Sequence, residues 1–131
     1  MKETALGRIR SLDYTVVFAR DMPAMRRFYQ DVMHFPLERE LGPDWIEYRI
    51  GANILALAKP HIAKDDAPTP QGSASLQLAF RVAPADVSRC EQELKAAGVA
   101  IVSPATDQRW GHRTLFFRDP DGNILEIYAD I

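Results

Sequence analysis

The sequence predicts an α+β fold built from two tandem β-α-β-β-β modules arranged around one cleft. Three observations carry this reading. The stretch Ala52-Asn53-Ile54-Leu55-Ala56-Leu57-Ala58 is matched by Gly122-Asn123-Ile124-Leu125-Glu126-Ile127-Tyr128, with Asn-Ile-Leu at the same place in each. Each half holds one helical pattern directly after its first strand pattern. Each helix is then followed by three short strand patterns, so the halves match element by element, as duplicated units do.

The first module, about residues 12–59, opens with a β-rich run from Leu12 to Ala19. A helix follows from Asp21 to Met33, with Asp21 as its N-cap and Pro23 tolerated in its first turn. Met25, Phe28, Tyr29 and Val32 recur at three- and four-residue spacing and give it one apolar face. Strands are expected at Leu37–Leu41, Trp45–Ile50 and Asn53–Ala58. A polar linker, about 60–74, contains Pro60, Pro68, Pro70 and Gly72 and reads as a mobile connection or a flap over a site.

The second module, about 75–131, repeats the plan. A strand over Leu76–Val82 leads into a helix over Ala85–Ala97, whose apolar face is Val87, Cys90, Leu94 and Ala97 and whose stop is Gly98. Strands are expected at Val99–Val102, Arg113–Arg118 and Asn123–Ala129. Between the last two, Asp119-Pro120-Asp121-Gly122 is a turn: proline presets φ and glycine accepts φ > 0.

Composition sets the outer limits. The 131 residues suit one domain with a core of its own. A formal net charge of -2 and no basic run argue against nucleic acid and against an anionic membrane surface as partners. No apolar run approaches the ~20 residues that cross a bilayer, and the opening MKETALGRIR is charged where a signal peptide is apolar. The single Cys90 excludes an internal disulfide and suits a reducing compartment, so the expected location is cytoplasmic. On its helix face, Cys90 reads as packing rather than as a reactive thiol.

Strand parity assigns the faces, because side chains alternate along a strand and one face must meet the helix. In the last strand Leu125 and Ile127 suit the helix side, which turns Glu126 and Tyr128 the other way. The strand before it turns Thr114 and Phe116 away from the helix, with Leu115 and Phe117 packed beneath. In the first module Trp45 and Glu47 face the cleft. Matching the two opening strands makes Tyr14 and Gln77 equivalent. The resulting cleft has aromatic walls (Tyr14, Trp45, Phe116, Tyr128) and few polar groups (Glu47, Gln77, Thr114, Glu126), the make-up of a small-molecule pocket.

The stretches Leu12-Asp13-Tyr14-Thr15-Val16-Val17, Arg27-Phe28-Tyr29, Trp110-Gly111 and Asp119-Pro120-Asp121-Gly122-Asn123-Ile124-Leu125-Glu126 resemble the vicinal oxygen chelate superfamily. This is the glyoxalase, bleomycin-resistance and extradiol dioxygenase group. The resemblance runs from Leu12 to Ile131 and implies a cup-shaped mixed sheet from paired modules, in a homodimer. It also implies four cup positions around a divalent metal, which fall here on Tyr14, Ala56, Gln77 and Glu126. Only Gln77 and Glu126 are residue types the family uses for this purpose. Alanine offers no donor, and a phenol needs a strong Lewis acid before it ligates.

Three functional classes follow. The first is a metal-free protein that binds a small molecule, with aromatic walls stacking on a planar ligand. The second is a metal-dependent lyase, isomerase or dioxygenase using Gln77 and Glu126, with Glu47 as a substitute ligand if its strand brings it close. The third is a metal-free enzyme with Glu126 as general base and Tyr14 as proton donor. A bland alternative for Glu126 is a hydrogen bond to Gln77 or Tyr14 without catalysis, since a buried carboxylate must be paired or protonated. No resident cofactor is expected, a divalent metal being the alternative. His34, His61 and His112 read as solvated surface residues.

Overall fold

A computed structural model describes residues 4–60, 67, 69–73 and 75–131. The first module runs β1 (Tyr14–Phe18), α1 (Met22–Arg27), β2 (Leu37–Glu40), β3 (Trp45–Ile50) and β4 (Asn53–Ala58). The second runs β5 (Gln77–Arg81), α2 (Pro84–Ala96), β6 (Ile101–Asp107), β7 (His112–Arg118) and β8 (Ile124–Asp130). Each forms a mixed four-stranded sheet, in the orders β1-β4-β3-β2 and β5-β8-β7-β6. The first strand of each module pairs parallel with the last, and the other pairings are antiparallel. The fold is therefore the expected α+β duplication, laid out as two separate sheets. Most of the linker, and His61 with it, lies outside the described residues.

The register makes the duplication exact at the level of single residues. Tyr14 lies opposite Ile54 as Gln77 lies opposite Ile124, and Val16 opposite Ala56 as Ala79 opposite Glu126. Tyr14 is thus the counterpart of Gln77, and Ala56 of Glu126. Likewise Glu47 lies opposite Ala56 as Phe116 lies opposite Glu126, so Glu47 and Phe116 correspond.

Asp21 caps α1 as expected, accepting the Ala24 N–H at 3.1 Å. The helix does not stay α-helical to Met33. After Arg27 it widens into a π-helical turn over Phe28–Val32, and His34 at φ 58 ends it. The extra residue in the turn lets Phe28 and Tyr29, neighbours in sequence, both face the core, where they are 6% and 0% exposed.

Helix α2 ends in a Schellman motif. The Val99 N–H reaches Leu94 O at 2.9 Å, the Gly98 N–H reaches Lys95 O at 3.0 Å, and Gly98 takes φ 83. Val99 thereby spends its donor on the helix, so β6 starts at Ile101 rather than at Val99. It also runs further than expected, through Pro104 to Asp107. A proline is admissible there because β6 is an edge strand and its register shifts on both sides of Ser103.

One apolar core joins the helix-covered faces of both sheets, from Val17, Ile46, Leu55 and Leu57 to Leu115, Phe117, Leu125 and Ile127. The π-helical turn bridges them. Phe28 packs on Phe117 with centroids 6.3 Å apart, and Phe35 packs on Phe80 at 5.3 Å. The Tyr29 hydroxyl donates to Asp119 at 2.7 Å, and the Arg20 N–H donates to Asp121 at 2.8 Å. The Asp119–Gly122 turn is therefore an inter-module clasp, closed by the Gly122 N–H on Asp119 O at 2.9 Å. Neither helix is long and apolar enough to cross a membrane.

Candidate functional site

Strand parity is as the sequence implied. Leu115, Phe117, Leu125 and Ile127 lie in the core, so Thr114, Phe116, Glu126 and Tyr128 occupy the opposite face of the second sheet. In the first module Ile46, Tyr48, Leu55 and Leu57 are core, which leaves Trp45, Glu47, Ile54, Ala56 and Ala58 on its opposite face. Tyr14 shares that face, because Thr15 and Val17 alternate with it and Val17 is core.

The eight site candidates separate into two groups. Gln77, Thr114, Phe116, Glu126 and Tyr128 share the second sheet. Tyr14, Trp45 and Glu47 share the first. The sheets meet through their helix-covered faces, and no hydrogen bond or ring contact among the described residues joins the two groups.

On the second sheet, Gln77 Nε2 donates to Glu126 Oε1 at 3.2 Å. The Glu126 carboxylate has no ion-pair partner among the described residues, and its strand neighbour on one side is Phe116. Thr114 is buried and accepts from Gln108 Nε2 at 3.0 Å. Further along the same face, Tyr128 is ringed by Arg81, His112 and Asp130. Arg81 Nε donates to the Tyr128 hydroxyl at 3.2 Å, and Arg81 Nη1 to Asp130 at 2.6 Å. His112 stacks on Tyr128 with centroids 4.8 Å apart, and its Nε2 lies 3.2 Å from Asp130.

His112 is therefore a strand residue inside a polar network, not a solvated loop residue. Sequence reasoning passed over Arg81 as well. Its signal was parity: Arg81 is two positions beyond Ala79 on the face that Gln77 opens.

On the first sheet, Tyr14 meets Trp45 edge to face at 6.3 Å and remains 53% exposed. Glu47 is buried and saturated. It accepts from Trp45 Nε1 at 2.6 Å and from Arg39 Nε and Nη2 at 3.3 Å each.

These contacts decide how well a divalent metal fits. Glu47 is already paired, since Arg39 and the Trp45 indole engage both of its oxygens. Ala56 brings no donor, and Phe116 sets an apolar ring beside Glu126 where the first module has its carboxylate. Among the described residues no three His, Cys, Asp or Glu side chains gather closely enough to hold an ion. One carboxylate and one neutral amide supply too few ligands and too little enforced geometry. The described residues of one chain do not by themselves fit a resident metal.

Cys90 is half-buried, and burial, followed by the charges of Glu93 and Asp86, pushes its thiol up, as packing rather than reactivity requires. A separate opening of about 370 Å³, walled by Phe28, Val99, Val102, Arg118 and Pro120, includes none of the candidate residues.

The family model described as the Glyoxalase/Bleomycin resistance protein/Dioxygenase superfamily matches residues 11–127. Among solved structures, a glyoxalase/bleomycin resistance protein/dioxygenase from Nocardioides is similar with a TM-score of 0.79 and 21% identity, over 94% of this chain and 85% of that one. A glyoxalase/dioxygenase from Nostoc punctiforme gives 0.77 and 22%, over 100% and 98%. A lactoylglutathione lyase from Agrobacterium tumefaciens gives 0.72 and 23%, over 93% and 95%. At these identities the structural likeness speaks for the fold.

Proposed function

The chain belongs to the glyoxalase/bleomycin resistance protein/dioxygenase superfamily, and from that premise we propose that it binds a small molecule against Glu126, without a tightly held metal, in a cleft completed by a second copy of the chain. The observation that carries this reading is Glu126 itself. Its carboxylate is half-buried beside Phe116, has one neutral donor from Gln77, and no countercharge among the described residues. Such a group favours a ligand that brings a hydrogen-bond donor to it. The aromatic neighbours favour a flat ligand body.

The second copy enters for a physical reason. Each sheet buries its helix-covered face in the shared core, so the faces that carry the two groups of candidates have no common wall within one chain. The first sheet's open face includes Tyr14 and Phe18, about half-exposed on edge strand β1. Apolar side chains on an open sheet face are best covered by another molecule, and a twofold pairing sets one copy's Tyr14 face against the other's Glu126 face. The homodimer is thus part of the proposal, as is a cytoplasmic location, which the lone cysteine suits.

Should the ligand be turned over, Glu126 is the base within reach of it. Tyr14 can serve as proton donor only from a second copy.

The test is elemental analysis of protein purified without added metal or chelator, with thermal shifts in manganese, nickel, zinc and iron(II). The expected result is substoichiometric metal and no shift that Glu126→Ala removes. Stoichiometric metal, lost in Glu126→Ala, overturns the metal-free reading. A thermal-shift screen of planar aromatic compounds should in parallel return ligands that stabilise the wild type and not Glu126→Ala.

A further inference from the structure

We propose that the Tyr128 hydroxyl and the Arg81 guanidinium form a carboxylate-binding subsite at the end of the Glu126 face, so that the ligand of this cleft is an aromatic acid. The inference rests on the proposed site and names the chemistry of what fills it.

A tyrosine hydroxyl has one hydrogen to donate and can also accept. Here its oxygen accepts from Arg81 Nε at 3.2 Å, which leaves its hydrogen for another partner. Arg81 commits Nη1 to Asp130 at 2.6 Å, and its Nη2 has no partner among the described residues. Asp130 accepts from Arg81 on Oδ2, and its Oδ1 lies 3.2 Å from His112 Nε2. Two donors, one of them charged, therefore stand side by side on an open sheet face with no protein acceptor for them among the described residues. Guanidinium nitrogens and a phenol are well matched to a planar carboxylate.

The Tyr128 ring is also held in place. His112 lies against it at 4.8 Å, and the Arg81 guanidinium carbon is 5.3 Å from its centroid. A phenol fixed on two sides presents its hydroxyl with little freedom left to lose on binding.

The duplication supplies an internal control. The register pairs Arg81 with Tyr128 as it pairs Phe18 with Ala58. At the matching place, then, the first module has a phenyl ring and a methyl group and no polar donor. The pair of donors is particular to the second module and owes nothing to the scaffold that both modules share. Glu126, two residues along β8 from Tyr128, is about 7 Å away along the strand.

The experiment is NMR titration of the wild type, Tyr128→Phe, Arg81→Gln and Phe116→Ala with benzoate and with benzyl alcohol, its neutral counterpart. The wild type should bind benzoate about tenfold more tightly than benzyl alcohol. Tyr128→Phe and Arg81→Gln should each bring the two probes to near parity by weakening benzoate more than benzyl alcohol, a loss selective for the anion that a merely structural role would not produce. Arg81→Lys keeps the charge without the fork and should recover part of the preference. Equal affinity for both probes in the wild type, or a preference that survives both substitutions, overturns the subsite. If benzyl alcohol binds and Phe116→Ala abolishes that binding, the site stands although the subsite has failed. If neither probe binds the wild type, both fall.

Discussion

The phenol of Tyr29 and the carboxylate of Asp119 meet at 2.7 Å although they are 90 positions apart. Asp119 also accepts the Asp121 and Asn123 N–H groups at 3.0 Å each and Asn123 Nδ2 at 2.9 Å. Four donors satisfy a carboxylate that is almost fully buried. Removing one leaves a charged acceptor under-bonded in the core. Tyr29→Phe should therefore lower the unfolding free energy by about 1.5–3 kcal/mol in a urea titration, and a loss under about 0.5 kcal/mol would show that the bond contributes little.

The same phenol predicts a pH effect. Burial first, then the charge of Asp119 and the bond to it, raise Tyr29 well above its ordinary value of 10.0. A group whose pKa is raised on folding adds stability that is complete below the unfolded pKa and is lost as pH climbs toward the folded one. Stability should thus fall above about pH 10, and Tyr29→Phe should make that fall shallower. Tyr48, raised mainly by its burial, accounts for a further part that the variant retains.

Among the elements, the end of α2 gives the cleanest test. Gly98 sits at φ 83 with open space where a Cβ would go, so only the backbone conformation opposes a side chain. Gly98→Ala should cost about 1 kcal/mol. At the end of the first helix the sign reverses: His34 takes φ 58 without being glycine, so His34→Gly should raise the melting temperature by a few degrees or less. A Gly98→Ala variant that melts no lower, or a His34→Gly variant that melts lower, would mean that neighbours, not the backbone, set the preference.

These helix ends also show what sequence can and cannot reveal. Strands β3 and β4 were legible to the residue because turn residues bound them and because the Asn-Ile-Leu stretch of β4 recurs in the second module. The start of β6 was hidden, because Val99 looks like a strand residue and yet its N–H belongs to the helix before it. The π-helical turn was hidden too, since the spacing of Met25, Phe28, Tyr29 and Val32 suits an α-helix equally well. The faces of the site were readable from period-two alternation. Its division between two sheets was not, because that depends on Phe28 and Phe35 packing across modules, and periodicity within one segment carries no trace of it.

At the scale of the whole molecule, the open face of β1 makes a prediction about assembly. Light scattering at concentrations on the order of micromolar should report a dimer. Phe18→Glu, which puts a charge on the half-exposed face of that strand, should shift it toward monomer and weaken ligand binding together. A monomeric wild type that still binds ligand would separate the site from the second copy.

One feature of the first sheet bears on how this chain can change over generations. Ala56 is fully buried and lies opposite Glu47, the carboxylate that Trp45 and Arg39 hold fast. The single exchange Ala56→Glu, which would make the first module match Glu126 of the second, sets two carboxylates side by side in a place with room and donors for one. Replacing Glu47 first takes the acceptor from the half-buried Trp45 indole. Either order passes through a disfavoured intermediate. The two modules share a scaffold, but making their sites match takes more than one exchange.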